Sequence, residues 1–190
     1  MSTEQTSSFE SREQVVETVR QKRDLSGANM SGLDLAGIKL TGLSLEGADL
    51  SNANLEGAIL AAGNMAGVDL SGATLNGALV TAANLGGASL CGAQLRAAKI
   101  SAANLEDADL TEADLSESRW FAVDVARADF GGAKTTGARA SGVDWSQAQV
   151  PPAEIPEPMP MPPWLPALLA GVGVLFVVVI IILAKKRRRA

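Results

Sequence analysis

Apolar residues recur at nearly every fifth position of the chain, from Leu25 through Met30, Leu35, Leu40, Leu45, Leu50 and Leu55 to Ile100, Leu105, Leu110, Leu115, Trp120 and Phe130. Two positions earlier the residue is nearly always small, usually alanine (Ala28, Ala48, Ala53, Ala58, Ala73), and two positions later it is often glycine. A helix repeats its apolar face every 3.6 residues and a strand every 2.0, so a period of five fits neither. Unbroken self-similarity points instead to a repeat architecture.

The unit A-(D/N)-L-x-x, as in Ala53-Asn54-Leu55, Ala108-Asp109-Leu110 and Ala113-Asp114-Leu115, resembles the pentapeptide-repeat family and runs for about twenty-five copies. That resemblance implies an all-β solenoid, a right-handed four-sided β-helix in which four units make one coil of twenty residues, with Leu and the preceding Ala pointing inward. Residues 24–150 then form about six coils. At the spacing of β-strands, about 4.8 Å, such a rod is on the order of 30 Å long. Small residues allow a corner every five positions, and stacked leucines fill a narrow interior.

Residues twenty apart should stack, which sorts the chain into faces. One inward column reads Leu40, Leu60, Val80, Ile100, Trp120, Ala140, so bulk at Trp120 is offset by Ala140, and Trp120 is expected in the core. The outward column beside it reads Lys39, Ile59, Leu79, Lys99, Arg119, Arg139, without an acid and with Phe121 nearby. The diagonally opposite column reads Asn29, Asp49, Asp69, Ser89, Asp109, Asp129, Gln149. A rod with an acidic side and a basic-apolar side is expected, and the basic-apolar stripe is a candidate docking surface for a protein partner. A belt of acids, Glu106, Asp107, Asp109, Glu112, Asp114 and Glu117, wraps three sides of one coil.

The ends read differently. Residues 1–10 look like a flexible tail. Residues 11–23 predict a capping helix, with Ser11 and Gln14 as a capping box and Val15, Val16 and Val19 on one apolar face. Residues 151–163 hold seven prolines and read as a stiff linker. Trp164 to Ala184 is uncharged for twenty-one residues, long enough as a transmembrane α-helix to span about 31 Å. Trp164 suits one interface, and Lys185, Lys186, Arg187, Arg188 and Arg189, in the basic tail 185–190, flank the other. Ala167 and Gly171 form a small-x-x-x-small pair that would allow a homodimer. A single-pass membrane protein is expected. Its orientation is contested: the positive-inside rule puts the basic tail in the cytoplasm, whereas the absence of signal-peptide features in the first residues favours a tail anchor with a cytoplasmic rod. "IPEP" at 155–158 resembles the Pro-Glu-Pro sorting signal of exported bacterial proteins, a further alternative.

Composition narrows the function. The chain has no histidine, no tyrosine and one cysteine, Cys91, which argues against an enzyme and implies no cofactor or metal. The net charge of -5 hides an asymmetry, since residues 24–150 carry fifteen acids and seven bases. The expected function is a non-enzymatic, membrane-anchored scaffold for protein-protein interaction, with the bilayer and an unidentified protein as partners and no nucleic acid. The family resemblance also implies an alternative, because some members imitate DNA in shape and charge and bind type II topoisomerases such as gyrase.

Overall fold

The computed structural model describes residues 8–160; the transmembrane span, its basic flank and residues 1–7 of the expected tail lie outside them. Every fifth apolar residue from Leu25 to Phe130 points inward and is buried, together with the small residue two positions before it at most units. The result is a parallel β-solenoid of about five turns behind one short helix.

Backbone bridges fall in four columns, each stepping by twenty residues. One runs Asp24, Ser44, Asn64, Asn84, Asn104, Asp124; the others start at Asn29, Asp34 and Lys39. The first column makes five steps and stops, because Asp144 does not extend it. Asp144 instead caps a 3-10 helix, Trp145–Gln147, with its side chain accepting from the Ser146 N–H. The sixth expected coil is therefore incomplete.

Three of the four faces share one piece of turn chemistry. The residue before each core position is mostly Asp or Asn, and its Oδ1 accepts from the N–H two residues on: Asp49 from Ser51 at 2.9 Å, Asn54 from Glu56 at 3.1 Å, Asp124 from Ala126 at 3.0 Å. Short polar side chains make this turn easily. On the fourth face that position holds Lys, Ile, Leu or Arg, none of which can accept such a bond. There the backbone stays extended as strands β1 (Ile59–Ala61), β2 (Leu79–Thr81), β3 (Lys99–Ser101), β4 (Arg119–Phe121) and β5 (Arg139–Ser141), paired in parallel register.

Corners take positive φ at the second residue after each core position. Glycine fills fourteen of these, but seven successive corners, Ala97, Ala102, Asp107, Glu112, Glu117, Ala122 and Arg127, adopt it without glycine at φ between 49 and 60°. The left-handed region costs such residues about 1–2 kcal/mol each.

Helix α1 (Arg12–Gln21) covers the first coil. Ser11 accepts from the Gln14 N–H at 3.4 Å, while the Gln14 side chain reaches back one residue further than a capping box requires, to the Glu10 N–H at 2.8 Å. Val15 is fully buried, and Val16 and Val19 pack against the core. Carbonyls on the open edge of the first coil are met by two arginines, Arg12 on Ala36 O at 2.6 Å and Arg23 on Thr41 O at 3.0 Å. The expected tail is shorter than residues 1–10. Ser8 bridges Asn29, and Phe9 donates its N–H to Asn29 O and packs on the core.

The opposite end is closed by aromatics. Trp120 is fully buried, as expected, in register with Ala140. Its ring lies 6.0 Å from Phe130 and 5.7 Å from Trp145, and Phe130 and Trp145 meet edge to face at 5.4 Å. The Trp120 indole N–H donates to buried Ser118 Oγ at 2.8 Å, and Ser118 donates to Leu115 O.

The expected linker needs correction in its first half. Residues 151–158 lie on the last coil: Pro152 and Pro156 are buried, Thr135 donates to Glu154 O at 2.6 Å, and β6 (Glu157–Pro158) pairs with β5. Register changes there. Val150, not Gln149, follows Asp129, and Glu157 follows Arg139 after eighteen residues. The compact unit ends at Pro158.

Candidate functional site

The sheet face carries the stripe Lys39, Ile59, Leu79, Lys99, Arg119, Arg139 in successive coils. Inward residues of its strands are buried, and outward ones range from half-buried to exposed. Phe121 is 56% exposed and Leu79 is 37% exposed, the largest apolar surfaces on this face, with Ile59 half-buried beside them. A shallow groove of about 230 Å³ opens at the corner between Glu117, Arg119, Gly137 and Arg139. The column gains one acid unseen in the sequence, Glu157, through the bend of residues 151–158.

Charge is handled differently here than on the other faces. Lys99, Arg119 and Arg139 are direct cross-strand neighbours, and like charges in that position destabilise a sheet. Among the described residues none of them, nor Lys39, makes an ion pair. The ion pairs found there use Arg20, Arg96 and Arg127.

The acidic belt divides into three groups. Asp109 and Asp114 are turn formers, accepting from Thr111 N at 2.9 Å and Ser116 N at 3.0 Å, and Asp114 also takes Arg96 Nη1 at 3.2 Å. Glu106 and Asp107 are held by Arg127 one coil on, whose Nε and Nη2 reach the two Asp107 oxygens at 2.7 and 2.9 Å. Hydrogen bonding from Arg127 holds the Asp107 carboxyl below its usual range. Glu112 and Glu117 form no ion pair among the described residues and project from strained corners. Sequence reading missed the Arg127 clamp although its signal was present, since Arg127 stands twenty residues after Asp107.

The opposite acidic column is also structural in part. Asp49, Asp69, Asp109 and Asp129 each turn one oxygen to a backbone N–H at 2.8–2.9 Å. Inside the rod, one space of about 10 Å³ among Leu60, Leu70, Val80, Ile100 and their neighbours is apolar and at the lower limit for a single water. No cluster among the described residues is placed to hold a metal ion, and Cys91 lies exposed on the face opposite the stripe.

This stacked, twenty-residue register is what the pentapeptide repeat produces, and the family model for pentapeptide repeats matches residues 24–57, 38–77 and 81–117. The chain is a pentapeptide-repeat protein. Among solved structures the pentapeptide-repeat rod is similar to QnrB1, a plasmid-mediated fluoroquinolone resistance protein, at 27% identity and a TM-score of 0.45, over 65% of each chain. It is similar to a pentapeptide repeat protein from the Arabidopsis thaliana thylakoid lumen, at 26% identity and a TM-score of 0.44, over 64% of this chain and 69% of that one. HetL, a pentapeptide repeat protein involved in heterocyst differentiation regulation in a Nostoc cyanobacterium, matches at 23% identity with a TM-score of 0.27, over 77% of this chain and all of that one. No curated protein matches the chain in sequence.

Proposed function

We propose that the protein is a non-enzymatic, membrane-anchored scaffold, a rigid pentapeptide-repeat rod whose basic-apolar sheet face docks a partner beside a bilayer. The excess of positive charge on that face carries the reading. Lys99, Arg119 and Arg139 stack as direct cross-strand neighbours and form no ion pair among the described residues, and with Lys39 they outnumber the two acids beside them, Glu157 in register with Arg139 and Glu117 at the corner. An external anionic group relieves that repulsion, and Leu79 and Phe121 add apolar contact. The docked partner is accordingly acidic and amphipathic on its contacting side.

The anchor rests on the sequence of Trp164 to Ala184. No helix among the described residues is long and apolar enough to cross a membrane, and the proposed span lies outside them. Cell fractionation tests it. The full chain should sediment with membranes, and deletion of residues 164–190 should release a folded rod; recovery of the full chain as a soluble monomer overturns the anchor. Protease accessibility in intact cells tests the cytoplasmic placement of the rod, which cleavage from outside would refute.

DNA mimicry is the weaker reading. The Asp columns that would stand for phosphates cover only part of the surface, and the sheet face interrupts them with Lys99, Arg119 and Arg139. The soluble rod should leave gyrase supercoiling unchanged at micromolar concentration; inhibition would reverse the ranking.

A further inference from the structure

We infer that the partner of the basic-apolar face is the anionic surface of the bilayer itself, so that the rod lies along the membrane on strands β1 to β5. The inference rests on the anchor reading and adds to it the face and the ligand chemistry.

Where the chain leaves the rod is the first argument. Strand β6 places Pro158 in the same sheet as the stripe, paired with Ala140. Trp164, which opens the apolar span, follows six residues later, so the end of this sheet stays within about 20 Å of the point where the chain enters the bilayer. That reach is shorter than the rod, on the order of 30 Å. The short tether alone holds the face at an effective concentration on the order of millimolar.

Charge selects the face. The other three bridge columns carry acids, including Asp24 and Asp124, Asp49 and Asp129, and Asp34 and Asp114, and a negative leaflet repels them. The stripe has Lys39, Lys99, Arg119 and Arg139 against two acids, Glu157 at its far end and Glu117 at the corner beside Arg119. Each cation brought to an anionic surface strengthens adsorption about fivefold, so Lys99, Arg119 and Arg139 together supply about a hundredfold. The chemistry also fits headgroups. The groove brings together the side chains of Arg119 and Arg139, guanidinium groups of the kind that suit phosphate, with Glu117 also in its lining, and Phe121 in the same strand as Arg119 is an exposed apolar group of the kind that enters a membrane interface.

The lone thiol supplies the test. Cys91 follows core residue Leu90 as Phe121 follows Trp120, on diagonally opposite faces, and it is exposed. The full chain is reconstituted into vesicles of phosphatidylcholine, or of phosphatidylcholine with about a third phosphatidylglycerol. A fluorophore is placed either on Cys91 or, in Cys91→Ser, on Ser101→Cys, the residue paired with Phe121. In the anionic vesicles, quenching by spin-labelled lipid should be several-fold stronger at residue 101 than at residue 91. The difference should vanish with Lys99→Glu, Arg119→Glu and Arg139→Glu combined, and in 0.5 M salt. Equal quenching at both positions in anionic vesicles overturns the inference and leaves the face to a protein. Flotation after alkaline extraction separates this failure from loss of the anchor. A chain that floats in both lipids with equal quenching fails only here, whereas a chain that does not float fails both readings.

Discussion

At the scale of single residues, the five-residue unit divides its positions by chemistry. The core residue and the small residue before it face inward, Asp or Asn closes the turn, and the second residue after the core position bends left-handed. Where glycine is absent from that last position, strain is stored. Ala102 has φ near 50° with no charge to complicate the comparison. Ala102→Gly should therefore raise stability by about 0.5–1 kcal/mol in thermal unfolding, the strain relieved exceeding the extra entropy glycine loses. Ser118 is a different case, a buried hydroxyl that receives the Trp120 indole N–H. Ser118→Ala removes one oxygen and should cost about 1–3 kcal/mol, because a buried donor is left unpaired. An unchanged melting temperature in Ser118→Ala would mean that the indole finds another partner.

At the scale of elements, the two ends of the solenoid are closed by different means. Helix α1 brings valines to the first coil and lends Arg12 to an edge carbonyl, while Trp145 and residues 151–158 cover the last coil. The division of the proline-rich segment can be tested by truncation. A chain ending at residue 160 should keep the melting temperature of the rod, whereas one ending at residue 150 loses β6, the Thr135–Glu154 bond and two buried prolines, and should melt several degrees lower. Equal melting of the two truncations would return residues 151–158 to the role of linker. The helix, the period and the core register were legible from the sequence because they rest on local pattern. The fate of residues 151–158 was not, since proline content suggests an extended segment wherever it stands, and only the uncovered last coil explains why this one is held down.

For the whole molecule, electrostatics decides between the readings. The carboxyls of Asp24 and Asp144 are held below the usual range, first by hydrogen bonds from the side chains of Ser26 and Ser146, and that of Asp107 by Arg127. Lowered values mean that these groups stabilise the fold fully above their unfolded value, about pH 4, and lose that contribution as pH falls through the lowered values. Melting temperature should be insensitive to these groups between pH 5 and 8 and drop below about pH 4. The difference between the wild type and Arg127→Ala, small because the pair is exposed, should shrink over the same acid window. A difference that grew on acidification would contradict the Asp107–Arg127 assignment. The stripe works in the opposite sense: its cations repel one another, so added salt should stabilise the rod slightly while weakening any anionic ligand on the sheet face.

By itself the sequence determined the period, the coil of twenty residues, the buried positions including Trp120, and which residues share a face. Each of these follows from a repeat whose neighbours in space are fixed by counting. Tertiary structure alone decided which charged side chains are held in place. Asp49 and Asp109 look alike to Glu112 in a list of acids, but the first two are turned onto backbone N–H groups and the third projects from a strained corner. Counting gives the neighbour of a side chain; only its orientation and hydrogen-bond partner decide whether it is held to the rod or left to reach something outside the protein.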